Sequence, residues 1–397
     1  MMWLKDIRTR AELGRPPVLS GRSAKLGKVS FDDLVFVPAQ LSRVPVDYFR
    51  ESISSETIIG RTSRKPLKLS MPIVFAGMSF GALSREAKIA IARASTILGT
   101  CTNTGEGGML PDERKHARLL IAQYSTGRFG VDDAYLRAAD AIEIKIGQGA
   151  KPGQGGLLPK EKVTMEIMKV RKLPRQMDVH SPASHPDIRT PSDLKKKVDM
   201  LRKKSGGKPV IIKLGAGHVS DDVRIALKAN PDIISLDGMS GGTGAAPEIM
   251  LDDFGVPILP AIVQARTLMD RLRARQDLIV GGGFSKGADI AKALALGADA
   301  VFMGFPLMIA MGCIYCRKCY KGECPYGIAT QDPKKRKNLK IDEATQSIVN
   351  FVRACSEEVK MAAGATGHDS VHKMTPDDMR ALDFNMARIS GVKLVGD

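Results

Sequence analysis

Apolar residues along the chain gather in short runs, most of which stop at glycine. MPIVFAG (71–77), AIEIKIG (141–147), PVIIKLG (209–215), DIISLDG (232–238), VPILP (256–260), DLIVGGG (277–283) and DAVFMG (299–304) read as strands. Between most of them the apolar residues recur at helical spacing, as in residues 84–98, PSDLKKKVDMLRKK (191–204) and SKGADIAKALALG (285–297). This alternation predicts parallel strands joined by crossover helices. With GTCTNTG (99–105) as an eighth strand the pattern closes a (β/α)8 TIM barrel. A doubly wound open sheet is the alternative.

The flanks break this rhythm. Residues 1–70, with prolines at 16, 17, 40, 45 and 66, predict an irregular N-terminal arm packed on the barrel. The barrel is assigned to 71–312, a cysteine loop to 313–333 and a C-terminal helical extension to 334–397, where residues 340–364 predict one long helix. The 397 residues exceed the roughly 250 of a bare barrel, which agrees with extensions at both ends. No apolar run reaches the ~20 residues of a membrane span, and MMWLKDIRTR is not a signal peptide, so a cytoplasmic protein is expected. The net charge of +17 fits a solvated surface, an acidic partner such as an electron carrier, or nucleic acid. No nucleic-acid motif accompanies it, so no such partner is expected.

Barrel enzymes place their chemistry at the carboxyl ends of the strands. Here those ends carry Ser79, Lys145, Lys213 and Asp237. They also carry the glycine groups SGGTGAA (240–246), GGG (281–283) and Gly304. Glycine lets backbone approach a ligand, and N–H groups at a helix start hold phosphate. GGG followed by the 285–297 helix predicts such a site. Four of the six cysteines, Cys313, Cys316, Cys319 and Cys324, are spaced x2, x2 and x4, with Pro325 after the last. The spacing is one residue longer in its last gap than a ferredoxin run. Four thiolates around zinc are the alternative.

Several strings resemble the flavin-binding synthase domain of the glutamate synthase family. They are GMSFGALS (77–84), TNTGEGG (102–108), STGRFGV (125–131), EIKIGQGAKPGQGGLLP (143–159), GGTGAAP (241–247) and CPYGIATQDP (324–333). The resemblance implies FMN, an iron–sulfur cluster on three cysteines, and reductive amination of 2-oxoglutarate with ammonia to glutamate. FMN is then expected on Gly77, Met78, Ser79, Lys213, Asp237, Gly241, Gly242, Thr243, Gly244, Gly281, Gly282, Gly283 and Gly304. The substrate carboxylates are expected on Arg128, Gln148, Lys151 and Ser79, with Glu106, Lys145 and Lys151 as catalytic groups. For Glu106 and Lys145 the alternative is a simple ion pair. The cluster ligands fall on Cys313, Cys319 and Cys324, giving [3Fe–4S]. Cys316 departs from the family pattern and would allow [4Fe–4S] if it binds.

The family's glutaminase nucleophile is an N-terminal cysteine, and no cysteine precedes Cys101. The expectation is a stand-alone synthase subunit served by a separate amidotransferase and by a reductase or ferredoxin. HSPASHPD (180–187) departs from the family string, which loosens the transfer of Ser181, His185 and Asp187. Two other functions stay open: an N-methylglutamate synthase-type subunit and an FMN/iron–sulfur electron-transfer subunit.

Overall fold

The computed structural model describes residues 2–23, 25 and 29–397, with the side chains of 2, 3, 5 and 6 outside the description. Eight parallel strands form its centre: β1 (Ile73–Phe75), β2 (Cys101–Asn103), β3 (Leu119–Tyr124), β4 (Ala141–Lys145), β5 (Val210–Gly215), β6 (Ile233–Asp237), β7 (Asp277–Gly281) and β8 (Ala300–Met303). They are ordered β1-β8-β7-β6-β5-β4-β3-β2. At the seam, Ser70 N donates to Gly99 O and the Thr100 hydroxyl donates to Ile73 O. The barrel is therefore nearly closed, and the open sheet is excluded.

Two strand assignments change. VPILP is not a strand: Pro257 caps the helix Ile258–Arg271, whose first turn contains Pro260. Proline is tolerated there because first-turn N–H groups have no intrahelical partner. Ile258, Leu259, Ile262 and Ala265 form the buried face of that helix. The strand missing from the sequence reading is β3, an apolar run inside RLLIAQYS (118–125).

Period-two alternation builds the interior in layers. At the base, Val74, Cys101, Ile121, Ala141, Ile211, Ile233, Ile279 and Ala300 pack together. Each fully buried isoleucine there is worth about 1.5–3 kcal/mol. The arm is more ordered than its composition predicts. Its hairpin, Thr57–Ile59 with Leu67–Leu69, plugs the base with Ile59, Leu67 and Leu69. Two residues further along the inward positions become polar: Asn103, Gln123, Glu143, Lys213 and Ser235, all buried. Lys145 and Asp237 close the strands at the top.

Outside, the helix Ile341–Ala365 packs on Arg85–Ile97 and Gly287–Ala295. Arm and extension also share a two-stranded sheet, Leu34–Phe36 with Met379–Ala381. Among the described residues, no helix is long and apolar enough to cross a membrane.

Candidate functional site

One large cavity opens at the carboxyl ends of the strands. Its wall contains Gly77, Met78 and Ser79 after β1, Glu106 after β2, Gln123 in β3, and Lys145, Gln148 and Lys151 from β4 onward. Lys213, Asp237, Gly241, Gly242, Thr243, Gly244, Gly282, Gly283 and Gly304 continue it, and all four loop cysteines complete it. Gly281 does not reach the surface; it ends β7 beside Asp237.

Charge concentrates between β2 and β4. Lys145 Nζ donates to Glu106 Oε2 at 3.1 Å and to Gln148 Oε1 at 2.6 Å, so the ion pair foreseen as an alternative forms inside the cavity. Ser181 Oγ donates to Glu106 Oε2 at 3.3 Å and accepts from Gly156 N at 2.5 Å. A Cβ on Gly156 would lie 1.7 Å from Glu106 Oε1, so only glycine lets this loop cross the carboxylate. Burial alone would raise the Glu106 carboxyl, but Lys145, Lys151 and Arg171 outweigh it and hold it at about 2. Burial lowers Lys151 to about 8, with Glu106 opposing and Lys145 reinforcing the shift. Lys151 Nζ also donates to Ala245 O at 2.9 Å, which ties the β4 loop to the glycine loop after β6.

Arg128 does not line the cavity. The residue sits at φ +52°, and its guanidinium lies 3.7 Å from the centre of the Tyr124 ring. It donates to Ser125 O at 2.6 Å and Asp187 Oδ1 at 2.6 Å, and lies 2.5 Å from His185 Nδ1. Burial, helped by Arg128, keeps His185 neutral, with a pKa of about 4. Because arginine only donates, Nδ1 must accept, and Nε2 carries the proton that bonds Lys145 O at 2.9 Å. Arg128 is therefore tied to the end of β4 through His185.

The helix start expected to hold phosphate is not open. The helix after GGG begins at Gly287, whose N–H donates to Glu358 Oε2 at 2.6 Å, while Ser285 N donates to Asp289 at 3.1 Å. Carboxylates of the protein already cover that helix start. The cavity wall is instead the backbone of Gly282 and Gly283, facing Gly304. Gly282 has φ +107°, and a Cβ there would lie 2.6 Å from Gly238 O.

Several residues at the site were not foreseen. Arg171 ends the helix Met165–Arg171, where a cation reads as ordinary complement to the helix dipole. The fold turns it inward: Nε and Nη2 donate to Phe80 O, and Nη2 lies 3.3 Å from Ser79 Oγ. A recess beside the main cavity is walled by Ser79, Glu106, Gly156, Leu158 and Arg171. Lys88 had a readable signal, a lysine on the apolar face of REAKIAIARAS. It is 1% exposed, 2.6 Å from the fully buried Glu113, and donates to Met78 O, Asn103 O and Thr104 O. Ser20, Gly21 and Arg22 of the arm also line the cavity. Ser20 Oγ donates to Gly244 O at 2.8 Å and accepts from Tyr320 N at 3.0 Å, joining the glycine loop to the cysteine loop.

The cysteine loop turns through Tyr315 and Arg317, both in the left-handed region. Burial pushes the Cys319 thiol up to about 11 and raises Cys313. Among the described residues, no three His, Cys, Asp or Glu side chains stand close enough to share one metal ion.

A parallel barrel with lysines, two acids (Glu106 and Asp237) and glycine turns around a cavity at the carboxyl ends of its strands has the layout of a barrel enzyme. Residues 21–369 match the family described as the conserved region in glutamate synthase. A glutamate synthase large subunit-like protein of Rhizobium meliloti is 38% identical, covering 99% of this chain and 93% of that protein. An archaeal glutamate synthase (NADPH) of Archaeoglobus fulgidus is also 38% identical, covering 94% and 77%. Among solved structures, an (S)-mandelate dehydrogenase mutant has TM-score 0.61 at 15% identity, covering 91% of this chain and 93% of that one. A Pediococcus acidilactici lactate oxidase has TM-score 0.60 at 15% identity, covering 92% and 89%. The chain belongs to the glutamate synthase family, and its function is of that oxidoreductase type.

Proposed function

We propose that this chain binds FMN and an iron–sulfur cluster and converts 2-oxoglutarate and ammonia to glutamate. The observation that carries the reading is one cavity bearing a glycine wall, a cation group and four thiols together. The residues fit FMN: the backbone at Gly282 is closed to side chains, and Lys213 sits 3.5 Å from Asp237 beside that wall. Lys213 supplies the cation that stabilises a reduced ring. Gly77, Met78, Ser79 and the glycines at 241, 242, 244, 282, 283 and 304 provide backbone contact, with Thr243 and Asp237 between them. The residues also fit a cluster in their donor chemistry, since four thiols of one loop line the same cavity and thiolates are what such clusters take. Cys313, Cys319 and Cys324 hold it, and Cys316 is the further ligand if the cluster has four irons. When bound, FMN supplies the hydride and the cluster relays electrons.

The chain's own groups do the rest. Arg171, Lys151 and Gln148 hold the two carboxylates of the keto acid. Glu106, a carboxylate far below neutral pH, holds the positive charge of ammonium and is a poor proton acceptor. Lys151, near 8, is suited to give and take a proton at the carbonyl oxygen. Lys145 orients Glu106 and Gln148. Ammonia and electrons come from separate amidotransferase and reductase or ferredoxin chains.

Two measurements follow. The released flavin should have the mass of FMN, and iron and sulfide should copurify with it; flavin-free protein from replete cells contradicts the reading. Above pH about 8, kcat/KM for 2-oxoglutarate should fall tenfold per pH unit, because Lys151 loses its charge in the free enzyme. The K151R variant should move that limb upward. A profile flat to pH 9.5 would remove Lys151 from substrate recognition.

A further inference from the structure

Among the described residues, the lysines in and beside the cavity have opposing carboxylates, with one exception. Lys88 faces Glu113 at 2.6 Å, Lys145 faces Glu106 at 3.1 Å and Lys213 faces Asp237 at 3.5 Å. Lys151 has Glu106 as its opposing charge. Lys162 is 4% exposed and lies on the cavity wall. Its Nζ donates to Ala82 O at 3.1 Å, Cys319 O at 3.1 Å and Ala329 O at 3.3 Å. Among the described residues it has no carboxylate partner. The groups whose ionisation would favour its charge belong to Cys319 and Cys324.

Three carbonyl dipoles solvate an ammonium but do not neutralise it, and an uncompensated buried cation is costly. Neutral thiols do not supply the missing charge. A thiolate-ligated cluster does, because its ligands are anions. Among the described residues, the other charged group acting on Lys162 is Arg171, a second cation, which deepens the deficit.

We infer that Lys162 is the built-in counter-charge of the iron–sulfur cluster and makes that cluster easier to reduce. The inference rests on the cluster reading above. Adding one electron increases the negative charge on the cluster. A fixed cation beside its ligands stabilises the reduced state more than the oxidised one. Lys162 also joins the cysteine loop to the loop after β1, through Cys319 O and Ala82 O.

The test is an EPR-monitored redox titration of the cluster in wild-type, K162Q and K162R holoenzyme. K162Q keeps a donor for the carbonyls and removes the charge; K162R keeps the charge. K162Q should lower the reduction equilibrium constant at least tenfold, a shift of about 59 mV to more negative potential for one electron. K162R should stay near wild type. An unchanged potential in K162Q overturns the inference, as does K162R shifting as far as K162Q. Folded, FMN-containing K162Q protein without cluster also overturns it, because Lys162 would then be a tether and not a charge. Wild-type protein that carries FMN but no iron or sulfide overturns the cluster reading itself.

Discussion

Replacing Arg171 with Met should lower kcat/KM for 2-oxoglutarate at least about a hundredfold while FMN stays bound. Truncating one partner of a buried, hydrogen-bonded charge pair costs roughly 2–5 kcal/mol, and each 1.4 kcal/mol is tenfold. Arg171 is 4% exposed and walls the recess next to Glu106. Among the described residues its hydrogen bonds use Nε and Nη2, which leaves the Nη1 donors for a carboxylate. R171K should recover only part of the loss, because lysine lacks the planar fork. Steady-state kinetics and flavin content check this together. Equal loss of FMN would make Arg171 a support of the loop after β1, through Phe80 O and Ser79, and not a substrate ligand.

The second large effect is on stability. K88M should destabilise the protein by about 3–5 kcal/mol, the usual cost of breaking a buried pair. For a chain of this length that lowers Tm by roughly 4–6 °C. Burial already pushes the Glu113 carboxyl up against the pull of Lys88, so the carboxyl protonates when the lysine is gone. The carbonyls of Met78, Asn103 and Thr104 lose their shared donor, and these lie where β1 and β2 lead into the loops that carry Ser79 and Glu106. FMN retention should therefore fall with Tm. The K88M/E113Q double variant should lie closer to wild type than the sum of the single changes. A K88M protein with the wild-type Tm would show that the pair does not hold these loops.

Much of the barrel was legible because its strands announce themselves twice, by β-branched runs and by the glycines that end them. The exceptions are instructive. VPILP carries the residue types of a strand, but its apolar positions continue at helical spacing through Ala265, and its prolines fall where a helix start accepts them. LLIAQY is as apolar as the strands identified, but its run leads into Ser125 and Thr126 before glycine, so the usual ending is missing. The cavity residues were readable where they follow a strand directly, as with Lys145, Lys213, Asp237 and the glycines. Arg128 lies outside the cavity wall, whereas Arg171 borders the recess beside it. GRFG looked like an anion loop, but the left-handed backbone at Arg128 turns its side chain onto Tyr124. Arg171 enters from a helix end in the long β4–β5 connection, and only tertiary folding brings it to Ser79. Side-chain direction at such positions depends on packing, which local patterning does not encode.

The account depends most on the cavity performing both reduction and amination at the keto carbon. The direct test is a single turnover: the protein is reduced anaerobically, then mixed with 2-oxoglutarate, ammonium, both, or glutamate with methylamine, while flavin absorbance and amino-acid products are followed. The account predicts rapid return of oxidised flavin only with 2-oxoglutarate and ammonium together, and glutamate formed in proportion to the electrons lost. Flavin that stays reduced in that mixture, or that reoxidises without forming glutamate, would contradict it.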